Sequence, residues 1–258
     1  MLEQFYNFPT WLSGLAVVLL CVLFAVVGIE VVSRLDELPV RRAHNDIVGF
    51  ISAIIGVIYA VLLASVAIMA WENYDKAKMV VAREASMLGD IQRMAYGLPT
   101  EVGGNIRHAA RTYGETVVRE EWPAMRQGRV PTQAWPAIAR LQEMVVHYEP
   151  ATMGQQNIHA QMLTLMSGLL DVRRERIFYT EDSIEQAVWW VVILGTVGTV
   201  GFTFFFGLEK RRHQLMSGLT AALAGLVIVL IAALDHPYLG EVSISPLALQ
   251  QSIDRMER

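Results

Sequence analysis

One stretch constrains the whole chain. From Ile47 to Trp71 there is no charged residue, and polar clusters close it on both sides, Asn45-Asp46 before it and Glu72-Asn73-Tyr74-Asp75-Lys76 after it. An uncharged run of about 25 residues exceeds the ~20 that a helix needs to cross a bilayer's hydrocarbon core. No Gly or Pro falls between Glu72 and Glu84 to stop a helix. The segment Asn45–Glu84 therefore reads as a membrane helix that leaves the bilayer and continues into a helical domain.

Three further apolar runs complete the membrane part: Trp11 to Val32 with Glu30 near its end, Val188 to Leu208, and Leu215 to Leu234. The last is closed by Asp235-His236-Pro237, where proline cannot continue a helix. Four spans fit a composition that is 53% hydrophobic, above the soluble range. No Lys or Arg precedes the first run, so it is expected to be a retained anchor rather than a cleaved leader. Cys21 is the only cysteine, which excludes an intramolecular disulfide and a thiolate metal cluster. A net charge of −4, without a basic stripe interleaved with aromatics, gives no nucleic-acid signature.

The fold class is an all-α membrane protein. Its segments are a first transmembrane pair (1–71), an extramembrane helical bundle (72–187), a second transmembrane pair (188–236) and a short tail (237–258). Within the bundle, helical spacing recurs in four places: Val80, Ala85, Leu88 and Ile91; Ile106, Ala109, Ala110, Tyr113 and Val117; Ile138, Leu141 and Val145; and Ile158, Met162, Leu165, Leu169 and Val172. Nothing interrupts the fourth before the third span. The bundle is thus expected to be antiparallel and four-helical, with its first and last helices continuing spans two and three. The short hairpins carry Arg34, Arg41 and Arg42, with Pro39 as a break, and Lys210, Arg211 and Arg212. Positive charge on short loops marks the cytoplasmic side, which puts the bundle on the periplasmic face of a bacterial inner membrane.

Several residues are candidates for function. Gly49, Ala53, Gly56, Ala60, Ala64 and Ala67 recur every three or four positions along span two, a stripe that lets helix backbones approach closely. It suits tight packing or the lining of a narrow pore between subunits. Tyr59 stands mid-span among aliphatics, where a phenol needs an inter-helix partner; a constriction is the sharper reading. Asn45 or Asp46 is placed to cap the second helix, or to form an ion-attracting mouth. Arg173, Arg174 and Arg176 form the densest basic cluster, either paired with acids such as Glu84 or Asp90 or exposed as an anion-concentrating vestibule. Glu120-Glu121-Trp122-Pro123 sits in a turn region. There is no phosphate-binding or nucleophile motif and no metal-ligand spacing of histidines. Neither a catalytic nor a cofactor site is expected.

The pattern Asn45-Asp46-x-x-Gly49, Gly56-x-x-Tyr59-Ala60-Val61-Leu62-Leu63 and Trp71-Glu72 resembles the bestrophin-like family of bacterial membrane proteins. So do Arg83-Glu84-Ala85, Tyr113, Glu121-Trp122-Pro123 and Arg173-Arg174-x-Arg176. The likeness runs from Asn45 to Leu234. Its link to bestrophins proper implies a homo-oligomeric ion channel, with anion conduction as the family's activity, a pore lined by span two and a helical part in the cytosol. The last implication opposes the side given by the hairpin charges. No acidic calcium clasp and no aromatic neck triplet occur here. The competing reading is a membrane-anchored sensor or scaffold whose bundle binds a partner protein.

Overall fold

The computed structural model describes residues 8–35 and 38–256. The segment around Glu3, on which the reading of an uncleaved anchor turned, lies outside the described residues, as do Asp36 and Glu37 of the first hairpin and the last two residues of the tail. The described residues form α1 (Thr10–Leu35), α2 (Leu38–Ala43), α3 (Asn45–Met94), α4 (Thr100–Thr116), α5 (Trp122–Met125), α6 (Trp135–Val146), α7 (Met153–Glu181), α8 (Gln186–Phe202), α9 (Lys210–Asp235) and α10 (Leu247–Met256). The protein is an all-helical, multi-pass membrane protein. Four helices are long and apolar enough to cross a bilayer: α1, α3, α8 and α9, with α3 and α8 each continued by a short 3-10 turn. Pro39 falls in the first turn of α2, where its missing amide proton costs no helical hydrogen bond.

The chain divides into two compact units, one up to Asn73 with Ser183–Asp235, the other Tyr74–Asp182 with His236–Arg258. In the membrane unit α1 packs along α9, and small residues of α9 make the approach close. A Cβ on Gly225 would lie 3.2 Å from the Val18 Cα and 3.4 Å from the Cys21 Sγ. Ala221 and Ala25 are wholly buried in the same seam. Phe204 fills the space above Gly28, where any Cβ would overlap its ring, and tilts against Phe24 with ring centroids 5.4 Å apart. The Phe204-Phe205-Phe206 run is therefore not uniformly lipid-facing, since Phe204 belongs to the core.

The second unit is built on the apolar stripes of α3, α4, α6 and α7: Leu88, Ile91, Ile106, Tyr113, Ile138, Leu141, Met162 and Leu169 are buried together. Thr152 caps α7 by accepting from the Gln155 amide, while Gln155 Oε1 reaches one residue beyond the cap to accept from the Ala151 amide. This is a variant of the capping box, whose third residue normally reaches the cap's own amide. Two features differ from the sequence reading. The tail is part of this unit: Tyr238, Ile244 and Leu249 join its core, and Ser252 Oγ donates to the Ala85 carbonyl at 2.9 Å. And α7 does not run on into α8. Asp182 adopts an extended conformation (φ −71°, ψ 133°). Beyond it, the Ile184 amide donates to Asp235 Oδ1 at 2.6 Å and the Trp189 indole to Asp235 Oδ2 at 3.2 Å. A carboxylate from the end of α9 replaces the carbonyls a continuous helix would supply.

Candidate functional site

The span-two candidates lie along the membrane part of α3. Asn45 spends its side chain on a distant loop rather than on its own helix. Its Oδ1 accepts from the Gly207 amide at 2.7 Å and its Nδ2 donates to the Gly207 carbonyl at 3.4 Å. Asp46 is exposed in the first turn. The Tyr59 hydroxyl donates to the Val192 carbonyl at 3.1 Å and lies 2.5 Å from Thr196 Oγ1, while its ring occupies the space that a Cβ on Gly195 would fill. Tyr59 therefore faces α8. Its neighbours on that side, Leu63, Val66 and Ala70, are also buried.

The stripe of small residues turns away from this contact. Ala53, Ala60 and Ala64 are exposed, and no atom lies within 4 Å of a Cβ built on Gly56. At Gly49 the nearest atom belongs to Phe206, at 3.9 Å. The large apolar residues Phe50, Val57, Ile58 and Val61 are each at least 64% exposed. Among the described residues, the middle of the stripe that sequence spacing marks for close approach, Ala53 to Ala64, is left open, while Ala67 at its end is half-buried.

The basic cluster is placed otherwise. Arg173 and Arg176 are completely buried in the second unit, and only Arg174 of the three is exposed, paired with Asp171. Arg173 makes two parallel hydrogen bonds to Glu121, 2.7 and 2.6 Å. Arg176 bridges Glu84 (Nε to Oε2, 2.6 Å) and Glu121 (Nη2 to Oε2, 2.8 Å). The Tyr113 hydroxyl donates to Glu84, and the Ala134 amide to Glu121 Oε1 at 2.9 Å. Arg173 lies over the Trp135 ring at 5.0 Å and Arg176 over the Trp122 ring at 5.9 Å, within cation–π range. Two guanidinium and two carboxylate groups balance, which is the condition for removing four charges from water at tolerable cost.

Local sequence explains how Glu121 reaches the core. Pro123 would clash with the carbonyl four residues back in a regular helix. The chain widens instead into a π turn over Val117–Glu121, and Pro123 then falls in the first turn of α5. Burial alone would push the Glu121 carboxyl up, but the hydrogen bonds and charges of Arg173 and Arg176 outweigh it and hold the group at about 2. Burial, reinforced by the Glu84 charge, pushes the Tyr113 phenol far up. Arg173 and Arg176 both stay protonated well beyond neutrality, because their carboxylate and phenol partners overcome burial. This cluster is a lock between α3, α4, the π turn and α7. Its charges face one another rather than solvent.

Sequence reasoning named Glu84 as a partner for the basic cluster but not Glu121, which it met only as part of the Glu121-Trp122-Pro123 motif. It also passed over the Ser217, Gly218, Ala221 and Gly225 series in span four, which has the same spacing as the span-two stripe and does pack within the chain.

A helical membrane unit of four spans, joined to a helical unit locked by buried ion pairs, defines a class of multi-pass membrane proteins. Comparison gives its family: the Bestrophin-like domain model matches residues 19–249, and the chain belongs to that family. Two crystal structures of a bacterial bestrophin homologue from Klebsiella pneumoniae, each carrying a different point mutation, share its fold. One has a TM-score of 0.70 at 13% identity over 95% of this chain and 98% of that one. The other has 0.65 at 13% identity over 95% and 97%. A further crystal structure, described only as a membrane protein, gives 0.63 at 14% identity over 95% and 97%. No curated protein matches the sequence significantly.

Proposed function

We propose that this protein is a homo-oligomeric bestrophin-type ion channel whose pore is lined by the membrane part of α3. The observation that carries this reading is the uncovered small-residue face of that helix, Ala53, Gly56, Ala60 and Ala64. Small residues at helical spacing lower the distance at which helices can meet in lipid, and here the meeting partner is another copy of the chain. Four spans packed in pairs leave no aqueous path within one subunit, so a conducting form places several copies around an axis. The family and its fold neighbours support the same assembly. Asn45, Asp46 and Gly49 then lie toward one mouth, and the bundle forms a vestibule or ring to which Arg174 contributes its charge.

The protein resides in a bacterial inner membrane. The basic hairpins, Arg34, Arg41 and Arg42 with Lys210, Arg211 and Arg212, favour the cytoplasm, leaving the second unit on the periplasmic side. No chemical transformation is proposed for it.

The test is reconstitution of the purified chain into liposomes, with mass measurement in a native-like bilayer. A multimer that passes ions is expected. A monomer, or a multimer without flux for either cations or anions, overturns the proposal. Stoichiometric capture of a second protein by a non-conducting form would establish the sensor or scaffold reading in its place.

A further inference from the structure

In the membrane unit, beside the two short hairpins, two buried polar side chains each leave nitrogen atoms without a partner. Arg41 is 8% exposed, yet among the described residues its Nε and Nη1 meet no hydrogen-bond acceptor. His213 is 2% exposed, donates Nε2–H to the Thr203 carbonyl at 2.7 Å, and leaves Nδ1 without a partner. The two residues lie within electrostatic reach of each other.

Their positions are fixed by backbone packing. A Cβ on Gly207 would fall 2.3 Å from the Arg42 amide nitrogen and 2.7 Å from the Arg41 carbonyl carbon. Only glycine permits the loop before α9 to lie so close against α2. The Asn45 side chain then clasps the same Gly207 through both its amide and its carbonyl. The loop packing holds Arg41 in its buried position. A desolvated guanidinium without an acceptor is strongly unfavourable. No described carboxylate forms an ion pair with Arg41: Glu30 holds Lys210 at 2.5 Å and Arg34 at 3.1 Å, Glu209 lies 3.5 Å from Arg212, and Asp46 is exposed.

We propose that Arg41 and His213 form a binding site for a phosphate group that carries a neighbouring hydroxyl, as in the headgroup of phosphatidylglycerol. Arg41 donates to the phosphate oxygens, the planar fork suiting that geometry. With Nε2–H committed to Thr203, the bare Nδ1 of the His213 ring accepts from the hydroxyl. The surroundings place this site at headgroup depth. Exposed Ile47, Phe205 and Leu215 belong to the same segments as exposed Arg34, Arg42 and Arg212, the mix of apolar and basic surface found where hydrocarbon meets charged lipid. The inference does not depend on whether the protein conducts ions.

The experiment uses the full chain in a neutral detergent, with bound lipid counted by native mass spectrometry and thermal unfolding followed on titration. Phosphatidylglycerol is expected to be retained and to raise Tm, while phosphatidylcholine does neither. Arg41→Gln should weaken phosphatidylglycerol binding about tenfold or more, the size of a lost charge-assisted hydrogen bond. Arg212→Gln, at an exposed arginine, should leave it within about twofold. Glycerol 3-phosphate in water is the soluble arm. Protection by it equal to that of the lipid supports the oxyanion site and assigns it to a soluble phosphate ester. Should Arg41→Gln fail to fold, the wild-type comparison decides alone, because equal retention of the two lipids overturns the site. Equal losses in Arg41→Gln and Arg212→Gln also overturn it, leaving a general basic surface.

Discussion

Arg173 and Glu121 meet through two parallel hydrogen bonds of 2.7 and 2.6 Å, with both side chains wholly removed from solvent. The pair joins α7 to the π turn, and Arg176 extends it to Glu84 on α3. Removing one member of a buried pair strands the other as an uncompensated charge, at a cost of about 3–5 kcal/mol. Glu121→Ala should lower unfolding stability by that order, because it strands parts of two guanidinium groups at once. Chemical denaturation of the full chain in detergent measures it. A loss under about 1 kcal/mol would mean that the arginines find other acceptors or water.

The same pair fixes an acid limit. The Glu121 carboxyl is held down at about 2 in the folded protein, against an ordinary value of 4.5. A group depressed by folding contributes stability above its unfolded value and loses it as pH falls toward its folded value. Its full contribution is therefore present at pH 5 and above and drains away between about pH 5 and pH 2. Unfolding free energy measured across this window should fall more steeply in wild type than in Glu121→Gln, which has no proton to take up at that position. Parallel slopes would assign the acid sensitivity to other carboxylates.

Tyr113 serves the network as a neutral donor to Glu84. Burial and the Glu84 charge push its phenol far above the usual range. Titration by ultraviolet absorbance should show fewer tyrosines ionising near pH 10–11 in wild type than in the unfolded chain, with Tyr113 and the buried Tyr238 among those held back. Tyr113→Phe should leave that deficit one tyrosine smaller. Tyr113→Phe removes the hydroxyl but keeps the ring, and should cost about 1.5–3 kcal/mol, the range for a hydrogen bond to a charged group. If Tyr113→Phe leaves stability unchanged, Glu84 is satisfied by Arg176 alone.

Membrane anatomy was legible in the sequence because lipid imposes a length and an apolarity that nothing else in the chain imitates. The long helix from Asn45 was visible for the same reason. What escaped reading depends on distant partners. The break after Glu181 needs the carboxylate of Asp235, far along the chain, to take the Ile184 amide. Asn45 looks like a helix cap, and only the folded chain brings Gly207 to it. Asp90, named with Glu84 as a partner for the arginine cluster, pairs instead with Arg93 on its own helix. The burial of Glu121 follows from a π turn, a local irregularity that periodicity arguments average away. In each case local chemistry supplied the group, and tertiary contact decided its use.

Gly207 offers a test of the hairpin contact that involves no ionisable group. Any Cβ there would overlap backbone atoms of Arg41 and Arg42, which have no rotamer to adjust. Gly207→Ala should therefore separate α2 from the loop and release the Asn45 clasp, with a loss of about 1–3 kcal/mol, typical of forced overpacking. Asn45→Ala removes two hydrogen bonds without a clash and should cost about 1–2 kcal/mol. Thermal unfolding of both variants checks the order. A Gly207→Ala protein as stable as wild type would show that α2 moves freely.

Two glycines separate packing within the chain from packing between chains. Gly225 of α9 faces the Val18 backbone, its Cβ position 3.2 Å from the Val18 Cα, whereas Gly56 of α3 has open space around it. Gly225→Leu should disrupt the α1–α9 seam and lower Tm whatever the assembly state, because backbone atoms cannot yield to the added side chain. Gly56→Leu should leave the helical content and the fold of the single chain intact. If copies meet along the small-residue face, the larger side chain holds their helices apart, and the protein should lose its oligomeric mass together with any ion flux. Mass measurement in a native-like bilayer and a liposome flux assay read both effects. A Gly56→Leu protein that still assembles and conducts like wild type would place the subunit contact on another face and remove α3 from the pore.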